Sequence, residues 1–225
     1  MATYNKNECL SNTLYSLARQ KTTFPVEVCI VDDVSVQDPV NIIKKFIPSC
    51  KYKRLDKYAG VYWSIGKCLD LVSDDTDVIV LQSCDVIYTQ DNIIETLCRS
   101  VAPKVFTMPE VRDLEVNPNM YKNFDKELKQ LVSGKALRYR MEHGPWHIFY
   151  SGSKQPDPAT RWYFFLGAIR KDDLLSTNFK NNAFDKKIAK EMKEKRFSPR
   201  YLDSLIGIHQ KHKAMNYKGH RRGMP

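Results

Sequence analysis

Two apolar runs in the sequence stop at carboxylates. "VCIVDD" ends in Asp32-Asp33, and "VIVLQSCD" ends in Asp85. An acid at the mouth of a buried strand is costly unless something pairs with it. Carboxylates pair with hydroxyl and amide donors and with hard cations. Two other stretches hold groups suited to proton transfer and metal ligation. "NNAFDKKIAKEMKEKRF" sets Asp185 ahead of an amphipathic segment, and "IGIHQKHK" offers the imidazoles of His209 and His212.

The elements that position these residues follow from periodicity. Leu10, Leu14, Leu17 and Ala18 share one face of a helix over about residues 7–20. A β-branched strand at 26–31 delivers Asp32 and Asp33. Asp38 and Pro39 open a helix that runs to about Phe46. A short strand at 52–55 precedes a helix at 62–72 with Ile65, Leu69 and Val72 inward. The strand at 77–82 carries Asp85; a helix at 91–101 and a strand at 104–108 follow. This alternation predicts an α/β fold with a largely parallel sheet. Such sheets bind ligands at the carboxyl ends of their strands, so Asp32, Asp33 and Asp85 are expected to face one crevice.

Beyond residue 109 the pattern loosens around a helix at 120–132 and the stretch "HGPWHIFYSGSKQPDPATRW". It tightens again at 163–170, in a helix at 186–195 and in a strand at 201–212. Only Met1 and Ala2 precede Thr3-Tyr4-Asn5, whereas an α/β domain normally opens on a full strand. Either that strand is nearly absent, or the chain belongs to a longer protein with further domains.

With 225 residues, 42% hydrophobic and 11% aromatic, the chain can bury a real core, which excludes a disordered protein. No apolar run approaches the ~18 residues of a spanning helix. The polar start does not read as a signal peptide. The scattered cysteines, with no CxxC pair, read as reduced core thiols of a cytoplasmic protein. Residues 1–179 carry 23 basic and 22 acidic side chains, and residues 180–225 carry 13 and 4. A basic tail suits a phosphate-bearing ligand. It lacks the interleaved aromatic and basic residues of nucleic-acid modules, so no nucleic-acid partner is expected.

"TYNKNECLSNTLYSLARQ" followed by "EVCIVDDVSVQDP" resembles the start of the family-2 glycosyltransferases, which have the GT-A fold. The resemblance runs to about residue 110 and more thinly to residue 212. It implies one compact domain, with a nucleotide-sugar-binding half at 1–110 and an acceptor-binding half with a basic tail at 111–225. Ser83-Cys84-Asp85 stands where the family has a DxD-like element, with Ser83 in place of the first acid. Asp85 is thereby implied to hold a divalent ion, Mn²⁺ or Mg²⁺, on the donor's diphosphate. His209, or else His212, would complete that metal site. Nucleotide contacts fall on Thr3, Tyr4, Asn5, Asp32, Asp33, Ser64, Ser83 and Cys84. Among these, Tyr4 would stack near the base, Asp32 would accept from base or ribose, and Asp33 would support the loop. "WYFFLGAIRKDDL" resembles a turn beneath the donor sugar, with Gly167 and Ala168 at its centre. Asp185 is the implied catalytic base, with Asp203 in reserve. Trp146 and Trp162 offer faces for a sugar to stack on.

The function expected from this resemblance is metal-dependent transfer of a sugar from a nucleotide-diphosphate donor. The donor is expected to be UDP-linked, the acceptor a hydroxyl of a glycan or other molecule, and the outcome inversion. A catalytically degenerate binding module is the alternative. A nucleotidyltransferase ranks below it, because no Gly-rich, Lys-bearing opening loop is present. Each acid also has a plainer reading: a turn cap at Asp85, an Asx-turn at Asp32 and Asp33, a helix cap at Asp185.

Overall fold

The computed structural model describes residues 1–133, 166–181 and 185–211. Strands β1 (Ala2–Thr3), β2 (Cys29–Asp32) and β3 (Lys51–Arg54) form a parallel sheet in that order. Parallel neighbours need crossovers. Helix α1 (Asn7–Ala18) supplies the first and α2 (Val40–Phe46) the second.

The second sheet has the order β4-β7-β6-β8-β5. Its members are β4 (Val78–Gln82), β5 (Val86–Tyr88), β6 (Val105–Glu115), β7 (Leu166–Arg170) and β8 (Ser198–Lys211). Only β6 and β8 run parallel; the other three pairings are antiparallel. The α/β architecture is as expected, but the sheet is mixed rather than largely parallel. The reason is local. Only Ser83, Cys84 and Asp85 separate β4 from β5, too few for the crossover a parallel neighbour requires. β5 therefore turns away and pairs with β8.

Among the described residues the remaining α-helices are α3 (Val61–Lys67), α4 (Ile93–Arg99), α5 (Phe124–Ser133), α6 (Lys171–Leu175) and α7 (Asp185–Glu194). The helix expected at 62–72 ends at Lys67 and tightens into a 3₁₀ turn over Cys68–Leu71. The expected strand at 104–108 extends to Glu115, and a register shift against β8 between Pro109 and Glu110 absorbs the proline. α6 was not expected. α7 buries Ile188 and Met192, as the spacing predicts.

Helix α1 buries Leu10, Leu14 and Leu17 but leaves Ala18 exposed. A second, polar face is buried as well. Asn12 Nδ2 donates to Gln210 Oε1 (3.0 Å) and to the Asn117 carbonyl (2.9 Å). Gln210 Nε2 donates to the Cys9 carbonyl (3.0 Å) and to Thr13 Oγ1 (2.9 Å). Satisfied networks of this kind hold one arrangement in place, and this one fixes the end of β8 against α1. All six cysteines are thiols outside any disulfide. No helix among the described residues is long and apolar enough to cross a membrane.

Candidate active site

The turn after β4 is the centre of the site. Asp85 is only 5% exposed there. The β5–β8 register places His209 opposite Val86, and the Gln210 N–H donates to the Asp85 carbonyl at 2.8 Å. That pairing delivers His209 Nε2 to 3.3 Å from Asp85 Oδ2. Lys6 Nζ reaches the same oxygen, also at 3.3 Å. Ser83 Oγ donates to Oδ1 at 2.5 Å, so the residue replacing the first acid still serves the second. Burial alone would raise the Asp85 pKa. The His209 bond, with the charges of His209 and Lys6, outweighs burial and holds the carboxyl well below its usual range. Burial likewise works against the Lys6 ammonium, and Asp85 beside it more than compensates. Burial, with Asp85 adding to it, pushes the Cys84 thiol up to about 12, which makes it inert.

Lys6 is a site residue that the motif reading missed. It directly follows Thr3-Tyr4-Asn5, so its position was the available signal.

The turn after β2 holds the other two strand-end acids. Asp32 is fully buried and accepts from Ser35 N–H, Ser35 Oγ and Arg54 Nη1 (2.9 Å). A nucleoside donor would reach Asp32 only by displacing Ser35 or Arg54. Asp33 accepts from the amides of Ala59 and Gly60, each at 2.8 Å, and so supports the loop. Gly60 has φ +88°, a conformation that favours glycine. This loop carries Tyr58, 53% exposed, whose ring lies 4.9 Å from that of Tyr4. Asn5, at φ +51°, donates from its backbone to Ser35 Oγ and accepts the Val36 amide on Oδ1. The Thr3 carbonyl accepts the Asp33 amide. Ser64 is buried, and its hydroxyl donates to the Gly60 carbonyl one turn back in α3.

Gly167 and Ala168 do not form a turn. They sit within β7 opposite Leu81 and Val80, and Ala168 is fully buried. A Cβ on Gly167 would stand 2.5 Å from the Phe106 ring and 2.9 Å from the Thr107 carbonyl. Sheet packing, not a passing ligand, requires that glycine. Asp185 is the first residue of α7. Asp203 is exposed on β8. Trp146, Trp162 and His212 lie outside the described residues.

Among the described residues no group of three or more His, Cys, Asp or Glu side chains gathers as a metal site. The Asp85–His209 pair could still hold an ion that arrives with other ligands. Its 3.3 Å spacing is close to that of neighbouring ligands around a hard ion with bonds of about 2.1 Å. Two protein ligands leave the remaining positions to phosphate oxygens and water.

Solved structures share this fold. Mannosyltransferase PcManGT from Pyrobaculum calidifontis, in complex with GDP-Man and Mn²⁺, matches with TM-score 0.58 and 14% identity, over 97% of this chain and 57% of its own. TarS 1–349 of S. aureus, in complex with UDP-GlcNAc, gives TM-score 0.62 and 13% identity, over 96% of this chain and 59% of its own. GalNAc-T7 with UDP, GalNAc and Mn²⁺ gives 0.57 and 11%, over 92% and 41%. The chain thus spans less than three fifths of each of these structures. Such low identities establish the GT-A-like fold alone. A search of curated proteins finds no match. The model for "Glycosyl transferase family 2" matches residues 1–192, well over half of the chain. With that match on a GT-A-like α/β fold, the chain belongs to glycosyl transferase family 2.

Proposed function

We propose that this chain transfers a sugar from a nucleotide-diphosphate donor to a hydroxyl acceptor. The observation that carries this reading is the β5–β8 register. It seats an imidazole 3.3 Å from the carboxylate that ends the β4 turn. The Tyr4–Tyr58 pair supplies an aromatic surface for a base and Asn5 lies beside it. Asp33 keeps that surface in place through the Ala59 and Gly60 amides. Asp85 and His209 would hold Mn²⁺ or Mg²⁺, which neutralises the charge developing on the departing diphosphate. A divalent ion on Asp85 Oδ2 would displace Lys6 from that oxygen, since two cations on one oxygen repel, and the ammonium would then serve the diphosphate.

Asp185, opening α7, is assigned as the base that removes the acceptor hydroxyl's proton during inverting attack. Trp146 and Trp162 are assigned to the sugar and acceptor side. A uridine donor is favoured because TarS and GalNAc-T7 are solved with uridine nucleotides, and PcManGT makes a guanosine donor the comparison to run. The test is calorimetry of UDP and GDP with and without Mn²⁺, followed by turnover of a panel of UDP- and GDP-sugars. Metal-dependent binding of UDP and turnover of one donor are expected. Failure of both nucleotides to bind overturns the reading. The Ser83 replacement and the two-residue ligand set favour a second reading, a sugar-nucleotide-binding module. That reading requires UDP binding with no turnover of any donor.

A further inference from the structure

Asp32 is completely buried at the end of β2, and the acceptor positions of its carboxylate are taken. Oδ1 accepts the Ser35 hydroxyl and, at 3.3 Å, the Ser35 amide. Oδ2 accepts the same amide at 3.2 Å and Arg54 Nη1 at 2.9 Å. An ionised carboxylate offers about four such positions, so none is left for a ligand. The Ser35 hydroxyl gives its one proton to Asp32 and itself accepts the Asn5 amide at 2.9 Å.

The backbone is strained where this closure is made. Val34 stands between Asp33 and Ser35 at φ +61°. A β-branched residue rarely adopts that conformation, because its Cβ crowds the following carbonyl. The turn that contains it brings both Ser35 donors back onto Asp32. Strain of this kind persists only where the surroundings hold it, and it gathers at functional sites.

Arg54 closes the other side. Its Nη2 donates to the Ser35 carbonyl at 2.6 Å, and Asp38 Oδ2 stands 3.7 Å from Nη1. Asp38 is fixed in turn by the Tyr52 hydroxyl at 2.8 Å. Expelling the guanidinium would leave a buried carboxylate without its cation, so an arriving base is expected to leave it in place. Two of the five guanidinium N–H groups are taken up by these hydrogen bonds, and 31% of the side chain is exposed. Arg54 therefore presents donors where the carboxylate behind it presents nothing.

We infer that Arg54 determines how the donor's base is read: it donates to a carbonyl oxygen of the base, and the base N–H goes unread by Asp32. This rests on the proposed function, with the base on the Tyr4–Tyr58 surface. Ser35 joins Arg54 to that surface. Its carbonyl binds Arg54, and its hydroxyl binds Asn5, the residue after Tyr4. A free carboxylate here would select the imide N–H of uracil, whereas a guanidinium selects acceptor atoms.

The test is calorimetry with Mn²⁺. UDP is compared with 3-methyl-UDP, which lacks the imide N–H, and with 2-thio-UDP and 4-thio-UDP, whose sulfur accepts weakly. The wild-type chain should bind UDP and 3-methyl-UDP within about threefold, and should lose at least about fivefold on one thio analogue. Arg54→Met uncovers Asp32 Oδ2. It should remove the thio penalty and make 3-methyl-UDP bind at least about tenfold more weakly than UDP. A purely structural Arg54 would instead shift all four nucleotides by one factor, which overturns the proposal. So does a wild-type chain that loses about tenfold on 3-methyl-UDP, or one that loses nothing on either thio analogue. The wild-type results decide the matter even where Arg54→Met does not fold. If GDP binds in place of UDP, 1-methyl-GDP and 6-thio-GDP take the same two roles. Failure of UDP and GDP alike to bind overturns the proposed function and the role of Arg54 with it. Nucleotide binding with the wrong analogue pattern overturns the role of Arg54 alone.

Discussion

Asp32 ends β2 with Asp33 just after it, and Asp85 follows β4, yet the two positions are held by different kinds of partner. Asp33 binds the amides of Ala59 and Gly60, while Asp32 binds the Ser35 amide together with the side chains of Ser35 and Arg54. Asp85 binds the side chains of Ser83, Lys6 and His209. An amide partner cannot leave without refolding its loop, whereas a lysine or histidine partner leaves by rotating a few bonds. Asp33, held by the Ala59 and Gly60 amides, therefore supports its loop, whereas Asp85 is held by side chains that a cation could displace. A strand-end position alone does not reveal which role an acid has; the identity of its partners does.

Asp85→Asn probes this contrast with the largest expected effect. Transfer and metal-dependent UDP binding should fall by about 10²-fold or more, while the thermal midpoint stays within a few degrees. If the variant unfolds instead, Asp85 is scaffold like Asp33 and the contrast fails. Asp33→Ala strands the amides of Ala59 and Gly60. It should cost roughly 1–3 kcal/mol in denaturant unfolding, with UDP affinity lost in step as Tyr58 loses its anchor. Lys6→Met should let the unliganded chain bind Mn²⁺ about tenfold more tightly, by uncovering Asp85 Oδ2, while UDP binds more weakly in calorimetry. Opposite signs in the two titrations mark exchange; parallel losses would make Lys6 structural.

Glu27 gives the smallest effect. Burial alone would raise its pKa, but bonds from Lys51, Ser73 and Thr76 bring it down to about 2 from the usual 4.5. Its folded value lies below its unfolded one, so its contribution is complete above about pH 4.5 and fades as pH falls towards 2. Glu27→Gln should flatten that limb of a midpoint-against-pH curve and leave UDP affinity at neutral pH unchanged.

The sequence revealed what local pattern encodes. The apolar run of β4 announced Asp85, and helical spacing found the buried faces of α1 and α7. Partners distant in sequence were not legible. β5 spans three residues after a tight turn, and its pairing with β8 has no local signature. Gly167 looked like a turn glycine because Phe106, which requires it, lies on another strand. The pairing of Lys6 has no local signature, since Asp85 is distant from it in sequence. Asp33 as loop support was anticipated from resemblance, and the Ala59 and Gly60 bonds give it a physical basis.

The register shift in β8 has an evolutionary consequence. Leu202 aligns with Pro109 and Ile206 with Glu110, which leaves residues 203–205 outside the ladder, with Asp203 and Ser204 exposed. A lineage that gains or loses a residue there can keep its imidazole opposite Val86. One residue inserted between Ile206 and His209 would instead turn that imidazole to the other face of the sheet. Length variation among descendants of this chain should therefore collect at 203–205 and stop short of His209.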